Sequence, residues 1–186
     1  MNSVENVKAQ AANLKLDLAC GLVPKEGFVG VDNSPNLDYH DRRKMIRHDL
    51  QRRPWPFRTN SVAEVWCSHY VEHTPDLIAF MDEIYRVLSI EGLATITAPF
   101  YTSVRAIQDP THLRSISAET FFYFNKAWRE AANIGHYNIK SDFDIIETKY
   151  ILSEQWKDVT EKELNYAIWH FYNVVTDIIV TLKRRG

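Results

Sequence analysis

The fold is decided by residues 14–32, which read LKLDLACGLVPKEGFVGVD. An apolar run, Leu14–Ala19, enters a turn of small residues, and a second run, Phe28–Val31, ends on Asp32. Both runs are typical of short buried strands. Ligands of open parallel sheets bind beyond the carboxyl ends of the strands, where small residues let backbone N–H groups approach. The stretch predicts two parallel strands, with Asp32 either accepting hydrogen bonds from two vicinal ribose hydroxyls or lying in solvent.

The connection between these two strands is short. Eight residues, Cys20–Gly27, link them, whereas a parallel crossover normally takes a dozen or more. We therefore expect the first helix of this sheet to be reduced to a turn or missing, which leaves that side of the ligand site open.

The sequence on either side of a predicted helix indicates a parallel sheet. Three further segments are β-rich and bounded by Gly, Pro or polar residues: Lys44–His48, Ala63–Cys67 and Leu93–Ala98. Between the last two, apolar residues recur at helical spacing from Leu77 to Leu88, and Thr74 followed by Pro75 predicts the helix start. A strand, helix and strand of this length form a right-handed βαβ unit. We predict an α/β fold with helices on both faces of a mostly parallel sheet.

The second half of the chain is less regular. A long loop is predicted over Phe100–Ile116, and a capped helix over AETFFYF after Ser117. Late strands are predicted over Asp142–Leu152 and Asp177–Leu182, with a mixed helix or loop region over Glu161–Val175. Long loops in compact domains are often functional. No linker interrupts this region, so we predict a single domain over residues 1–186, with residues 14–98 binding the ligand and residues 99–186 supplying acceptor-site loops and late strands.

The composition excludes several classes of protein. Hydrophobic residues make up 45% and charged residues 25% of the 186 residues, which is typical of globular domains. The net charge of −2 provides no global field that would attract nucleic acid or an anionic membrane. Two cysteines without zinc-type spacing predict neither a disulfide framework nor a metal site. No signal peptide or membrane-spanning run is visible, so we expect a reducing cytoplasm.

Five motifs in order carry a family resemblance. They are LDLACG, GVD, HDL, SHYVEH and RVLSIEG, and they lie between Leu14 and Ala98. The chain resembles class I, Rossmann-like, S-adenosylmethionine-dependent methyltransferases. The resemblance implies S-adenosylmethionine as the cofactor and a Rossmann-like sheet with one antiparallel late strand. The sequence departs from the family pattern at Ala19, where a glycine usually stands.

The resemblance also implies roles for individual residues. The implied cofactor-binding residues are Asp17, Ala19, Cys20, Gly21, Asp32, Asp49, Leu50 and Ser68. Asp17 would organise the first turn and Asp32 would bind the ribose. Asp49 would accept from the adenine amino group, with Leu50 packing near the ring. Ser68 would border the methyl group.

A general base helps methyl transfer to oxygen or nitrogen, because the acceptor must lose a proton. The candidates are Asp109 and His112, within QDPTHLR of the long loop, and His69, which leaves the fourth strand. The alternative for the loop residues is a structured turn, since Asp-Pro is common turn chemistry.

The most direct hypothesis is methyl transfer to an oxygen or nitrogen of a small molecule or saccharide. The sequence SHYV stands where base-amino methyltransferases carry Asn/Asp-Pro-Pro-Tyr/Phe, which disfavours a nucleic-acid acceptor. The alternative is a non-catalytic domain of the same fold that binds the cofactor or a protein. A nicotinamide-dependent oxidoreductase is disfavoured because the first turn lacks G-x-G-x-x-G.

Overall fold

One mixed sheet forms the centre of the molecule. The computed structural model describes residues 14–35 and 45–186. The strands in chain order are β1 (Lys15–Leu18), β2 (Val29–Asp32), β3 (Met45–Arg47), β4 (Val62–Ser68), β5 (Leu88–Pro99), β6 (Phe143–Leu152) and β7 (Val175–Arg184). Their order in the sheet is β3-β2-β1-β4-β5-β7-β6. Strands β1 to β5 pair in parallel, and β7 runs antiparallel to β5 and β6. The predicted Rossmann-like sheet with one antiparallel late strand is confirmed.

Helices are interspersed among the strands. The α-helices are α1 (Leu77–Val87), α2 (Val104–Gln108), α3 (Lys126–Ala131) and α4 (Glu161–His170), and 3₁₀ helices span Ala118–Phe124 and Glu154–Trp156. Helix α2 lies inside the segment predicted as one long loop, and the predicted AETFFYF helix is the first 3₁₀ helix. In the part of the chain that the structure describes, no helix has the length and apolar character needed to cross a bilayer.

The link between β1 and β2 has no helix. Residues 19–28 form turns instead, as the short spacing predicts. The buried Asp17 side chain holds this link, because its Oδ2 atom accepts a hydrogen bond from the Lys25 backbone N–H at 2.7 Å. The Lys25 ammonium lies 3.8 Å from the centre of the Trp66 ring on β4. One carboxylate and one cation–π contact thus fasten the link to the sheet.

The βαβ unit differs from its prediction at both ends of the helix. Asp76 is the N-cap rather than Thr74, since its carboxylate accepts from the Ala79 N–H at 2.9 Å. Strand β5 begins at Leu88, which pairs with Val62, rather than at Leu93. The sheet ladder continues through a bulge here, and pairing of the backbone overrides the helical periodicity of the side chains. The predicted third strand is confirmed over Met45–Arg47; its expected first residue, Lys44, lies outside the described residues.

The core lies between the central strands and α1. Buried side chains alternate along β5, where Ala94, Ile96 and Ala98 are 1% exposed or less. Helix α1 contributes a fully buried face at Phe80 and Ile84. At roughly 25 cal/mol per Å² of apolar surface removed from water, such burial is the main stabilising contribution. A rigid central sheet therefore positions the loops at its carboxyl edge.

Candidate active site

The carboxyl ends of the parallel strands form one edge of the sheet. Strands β2, β1, β4 and β5 are consecutive neighbours that run in the same direction. Strand β7 starts at this edge, because Asp177 pairs with Pro99 at the end of β5. Most of the predicted site residues end or follow the parallel strands: Ala19, Cys20, Gly21, Asp32, Asp49, Ser68 and His69. They therefore lie where ligands of this sheet type bind.

The first turn is tied directly to the end of β2. The Gly21 N–H donates to Asp32 Oδ2 at 3.0 Å, and the Ala19 N–H donates to the Val31 carbonyl at 2.8 Å. Both Ala19, at φ 55°, and Gly21, at φ 63°, adopt left-handed backbone conformations. A Cβ built on Gly21 would meet no heavy atom within 4 Å, so open space lies beside this turn. The small residues thus leave the backbone of this turn accessible to a ligand.

Two titratable groups lie at this turn, the buried Asp17 and the half-buried Cys20. Burial raises the pKa of Asp17, and the hydrogen bond from the Lys25 N–H acts in the opposite direction. Burial, with the nearby charges of Asp17 and Asp32, raises the pKa of the Cys20 thiol to about 12. Cys20 is therefore a neutral thiol at physiological pH, which is compatible with packing and not with nucleophilic chemistry.

Asp49 and Leu50 follow β3 on the far side of β2. Leu50 is buried, and its carbonyl accepts from the Trp55 indole Nε1 at 3.1 Å. The Asp49 carboxylate accepts from the Gln51 N–H at 3.0 Å and lies 3.5 Å from Arg52 Nε. These contacts fix the turn, in which the apolar Leu50 directly follows the acidic Asp49.

His69 lies between two buried carboxylates. It directly follows β4 in a left-handed conformation, φ 54°, and its N–H donates to the Thr97 carbonyl on β5. Its Nδ1 atom is 3.3 Å from Glu72 Oε1, and its Nε2 atom is 3.8 Å from Asp177 Oδ1. Arg105 Nη1 donates to the other oxygen of Asp177 at 2.8 Å. The imidazole side chain is 37% exposed, so it is accessible from the carboxyl edge.

The sequence motifs did not single out Glu72, Asp177 or Arg105. Glu72 lies within SHYVEH, and its spacing from His69 was a signal for a local contact. The partnership with Asp177 had no local signal, because it depends on β7 returning beside β5.

The other two base candidates lie together in the loop after α2. His112 Nε2 is 3.9 Å from Asp109 Oδ2. Asp109 Oδ1 accepts from both the hydroxyl and the backbone N–H of Thr111, and these hydrogen bonds hold the pKa of Asp109 below its ordinary value. The loop is joined to the exit of β4, because the Leu113 N–H donates to the Glu72 carbonyl at 2.8 Å. His69 and His112 therefore both lie near Glu72, and Asp109 contacts His112.

A cavity of about 620 Å³ opens at the end of β5. Aromatic and polar side chains line it: Phe100, Tyr101, Ser115, Ser117, Glu119, Tyr150, Asn165, Ile168 and Trp169. The ring of Phe100 packs against those of Tyr101 and Tyr150, with centroids 4.6 and 5.6 Å apart. Phe100 immediately follows Pro99, the β-sheet partner of Asp177, and the cavity lining contains none of the residues of the His69 cluster.

Comparison with known families agrees with this geometry. Residues 16–96 match the profile of the family described as "Methyltransferase domain". This segment runs from β1 through most of β5 and includes every predicted cofactor residue. Residues 16–96 thus have the sequence profile of a methyltransferase domain, and solved structures of the same fold are S-adenosylmethionine-dependent methyltransferases, whose cofactor is S-adenosylmethionine. A sequence search of curated proteins finds no significant match.

Solved structures share the fold over nearly the whole chain. A SAM-dependent methyltransferase from Archaeoglobus fulgidus is 19% identical with a TM-score of 0.66, covering 98% of this chain and 95% of that one. A candidate sarcosine dimethylglycine methyltransferase from Galdieria sulphuraria is 16% identical with a TM-score of 0.57, covering 98% and 82%. The cyclase SpnF is 14% identical with a TM-score of 0.57, covering 98% and 79%. At these identities the similarity establishes the fold.

Proposed function

We propose that this domain transfers a methyl group to an oxygen or nitrogen atom of a small molecule or saccharide. The cavity of about 620 Å³ at the end of β5 carries this proposal, since it has the size of a small-molecule site. Tyr101 and Trp169 offer aromatic faces, and Glu119 and Asn165 offer polar atoms that can bind hydroxyl groups. The net charge of −2 argues against a nucleic-acid acceptor.

In this proposal the first three strand ends bind the cofactor. The backbone at Ala19, Cys20 and Gly21 faces the methionine portion, over a turn that Asp17 holds. Asp32 accepts from the ribose hydroxyls. Asp49 and Leu50 contact the adenine, and Ser68 borders the methyl group. Residues 14–98 form the cofactor-binding half of one domain, and residues 99–186 supply the acceptor site.

We assign the role of general base to His69 rather than to Asp109 or His112. When bound, S-adenosylmethionine supplies a methyl group that its sulfonium already activates. The remaining task of the protein is to orient the acceptor and take its proton. The Glu72 and Asp177 carboxylates stabilise the positive charge that His69 gains with that proton. Asp109 is less suited, because two hydrogen bonds from Thr111 to its Oδ1 atom lower its pKa.

Transfer of a labelled methyl group to a panel of amines, phenols and saccharides tests the proposal. We expect Trp169→Ala to raise the acceptor KM about tenfold through loss of a stacking surface. Tyr137→Ala, an exposed aromatic outside the cavity lining, is the matched control.

We expect His69→Gln to lower kcat by about 10²-fold or more with the cofactor affinity unchanged. Transfer to DNA or RNA alone, or a full rate in His69→Gln, would contradict these assignments.

A second candidate function is a non-catalytic domain that binds the cofactor or a protein. Leu22 and Val23, in the link between β1 and β2, are 78% and 80% exposed. The cyclase SpnF is a structure of this fold that is described by an activity other than methyl transfer. Binding of S-adenosylhomocysteine without transfer to any acceptor in the panel would favour this function.

We further propose that the protein works in a reducing cytoplasm. Cys20 and Cys67 are both free thiols, as expected for proteins of that compartment.

A further inference from the structure

Two histidines and a glutamate converge where the loop after α2 meets the exit of β4. One ligand-capable atom from each of Glu72, His73 and His112 lies within 4.8 Å of those of the other two. The centroids of the two imidazole rings are 4.6 Å apart. The hydrogen bond from the Leu113 N–H to the Glu72 carbonyl brings these separate segments together.

Hydrogen bonds fix the tautomer of both histidines. His112 Nδ1 lies 3.0 Å from the Ala106 carbonyl, which only accepts, so Nδ1 carries the proton. The Thr111 hydroxyl donates to Asp109 at 2.7 Å, so its oxygen must accept from His73 Nδ1 at 3.0 Å. In both neutral rings the lone pair is then on Nε2. Metal-binding histidines are held in this way, with the other ring nitrogen donating to a carbonyl or another polar group.

The glutamate is buried without hydrogen bonds. Glu72 is 1% exposed, and neither carboxylate oxygen has a hydrogen-bond partner among the residues that the structure describes. His69 Nδ1, at 3.3 Å from Oε1, faces one of the two oxygens. Burying a carboxylate is costly unless a cation or donors compensate it. A cation bound between Glu72 and the two imidazoles of His73 and His112 would compensate the charge of the Glu72 carboxylate.

We propose that Glu72, His73 and His112 bind one divalent transition-metal ion of the Zn²⁺ type. Two imidazoles and one carboxylate are a ligand set that Zn²⁺ accepts, with a further position left for water or another oxygen ligand. The ion ties the loop of residues 109–113 to the exit of β4, next to His69. The site depends neither on S-adenosylmethionine nor on the acceptor.

Zinc titration of the tag-free full-length protein tests the site. The protein is stripped with a chelator, and Zn²⁺ is titrated in competition with a chromophoric indicator. We expect one ion per chain, and affinity at least tenfold weaker in Glu72→Gln, His73→Gln and His112→Gln. His136→Gln is the matched control, because it removes an exposed imidazole outside the cluster. Wild-type stoichiometry well below one, or unchanged affinity in the three variants, would overturn the proposal.

Two measurements keep the test decisive if a ligand variant fails to fold. Thr111→Val removes the exposed hydroxyl that orients His73 and donates to Asp109, and we expect the metal affinity to be about 10–100-fold weaker in a metal-free protein that still folds. The wild-type Co²⁺ complex should show d–d absorption without a thiolate charge-transfer band. Such a band would assign the metal to Cys20 or Cys67 and overturn the site, as would wild-type affinity in Thr111→Val.

Discussion

Ala19 adopts a backbone conformation that residues with a Cβ atom rarely adopt. Its φ of 55° lies in the left-handed region, which costs a residue other than glycine about 1–2 kcal/mol. The resembling family usually has glycine here. This residue lies in the turn whose backbone faces the proposed cofactor.

We predict that Ala19→Gly raises the free energy of unfolding by about 1 kcal/mol. Relief of the left-handed strain exceeds the entropy that glycine adds to the unfolded chain. Chemical denaturation measures the difference. Ala94→Gly, a fully buried position in β5 without positive φ, is the control and should lower stability. A loss of stability in Ala19→Gly would contradict the strain argument.

At the residue scale, the sequence predicts sites that are built locally. The Ala19–Gly21 turn and Asp32 could be recognised because strand ends and small residues occur together in one short stretch. The environment of His69 could not, because Asp177 is brought to it by β7, late in the chain. Glu72 was missed because a carboxylate at helical spacing from a histidine is as typical of a solvated surface as of a buried cluster.

At the element scale, Glu83 and Arg86 attach helix α1 to the segment before β4. Glu83 Oε1 accepts from the Trp55 N–H at 2.6 Å, and Arg86 donates to the Phe57 carbonyl at 2.9 Å and to Glu83 Oε2 at 3.0 Å. Burial acts to raise the pKa of Glu83, but the hydrogen bonds from Arg86 and Trp55 outweigh it, so its pKa lies below the ordinary 4.5.

We predict an acid-sensitive contribution to stability from Glu83. Because its folded pKa is lowered, the contribution is present above pH 4.5 and is lost as the pH falls through the folded pKa. Glu83→Gln should lower the free energy of unfolding by about 2 kcal/mol near pH 7 and remove this part of the pH dependence. Denaturation at a series of pH values measures both. Glu130→Gln, an exposed helical position, should reproduce the wild-type profile.

Element boundaries were less predictable than element types. The apolar spacing from Leu77 to Leu88 predicted helix α1, but Leu88 belongs to β5 because it pairs with Val62 across the sheet. Backbone pairing between strands depends on the neighbouring strand, which periodicity along one segment does not contain.

At the scale of the whole molecule, the chain combines a first half that matches a family profile with a second half that was less predictable. The family match ends at residue 96, whereas the cavity is lined from Phe100 onward. Its aromatic side chains come from the β5–α2 turn, β6 and α4, so their convergence depends on the complete fold. Aromatic residues make up 12% of the chain, and the fold brings several of them together at one cavity.

In the proposed function, the carboxyl edge of β1 and β2 binds S-adenosylmethionine through Asp32. Titration calorimetry with S-adenosylhomocysteine should show one site per chain. Asp32→Ala should weaken binding at least about 100-fold, since each hydrogen bond to a carboxylate contributes about 1.5–3 kcal/mol. Asp158→Ala, an exposed acid far along the chain, should bind as the wild type does. No binding by the wild-type protein at millimolar ligand, or undiminished binding by a folded Asp32→Ala variant, would contradict the account.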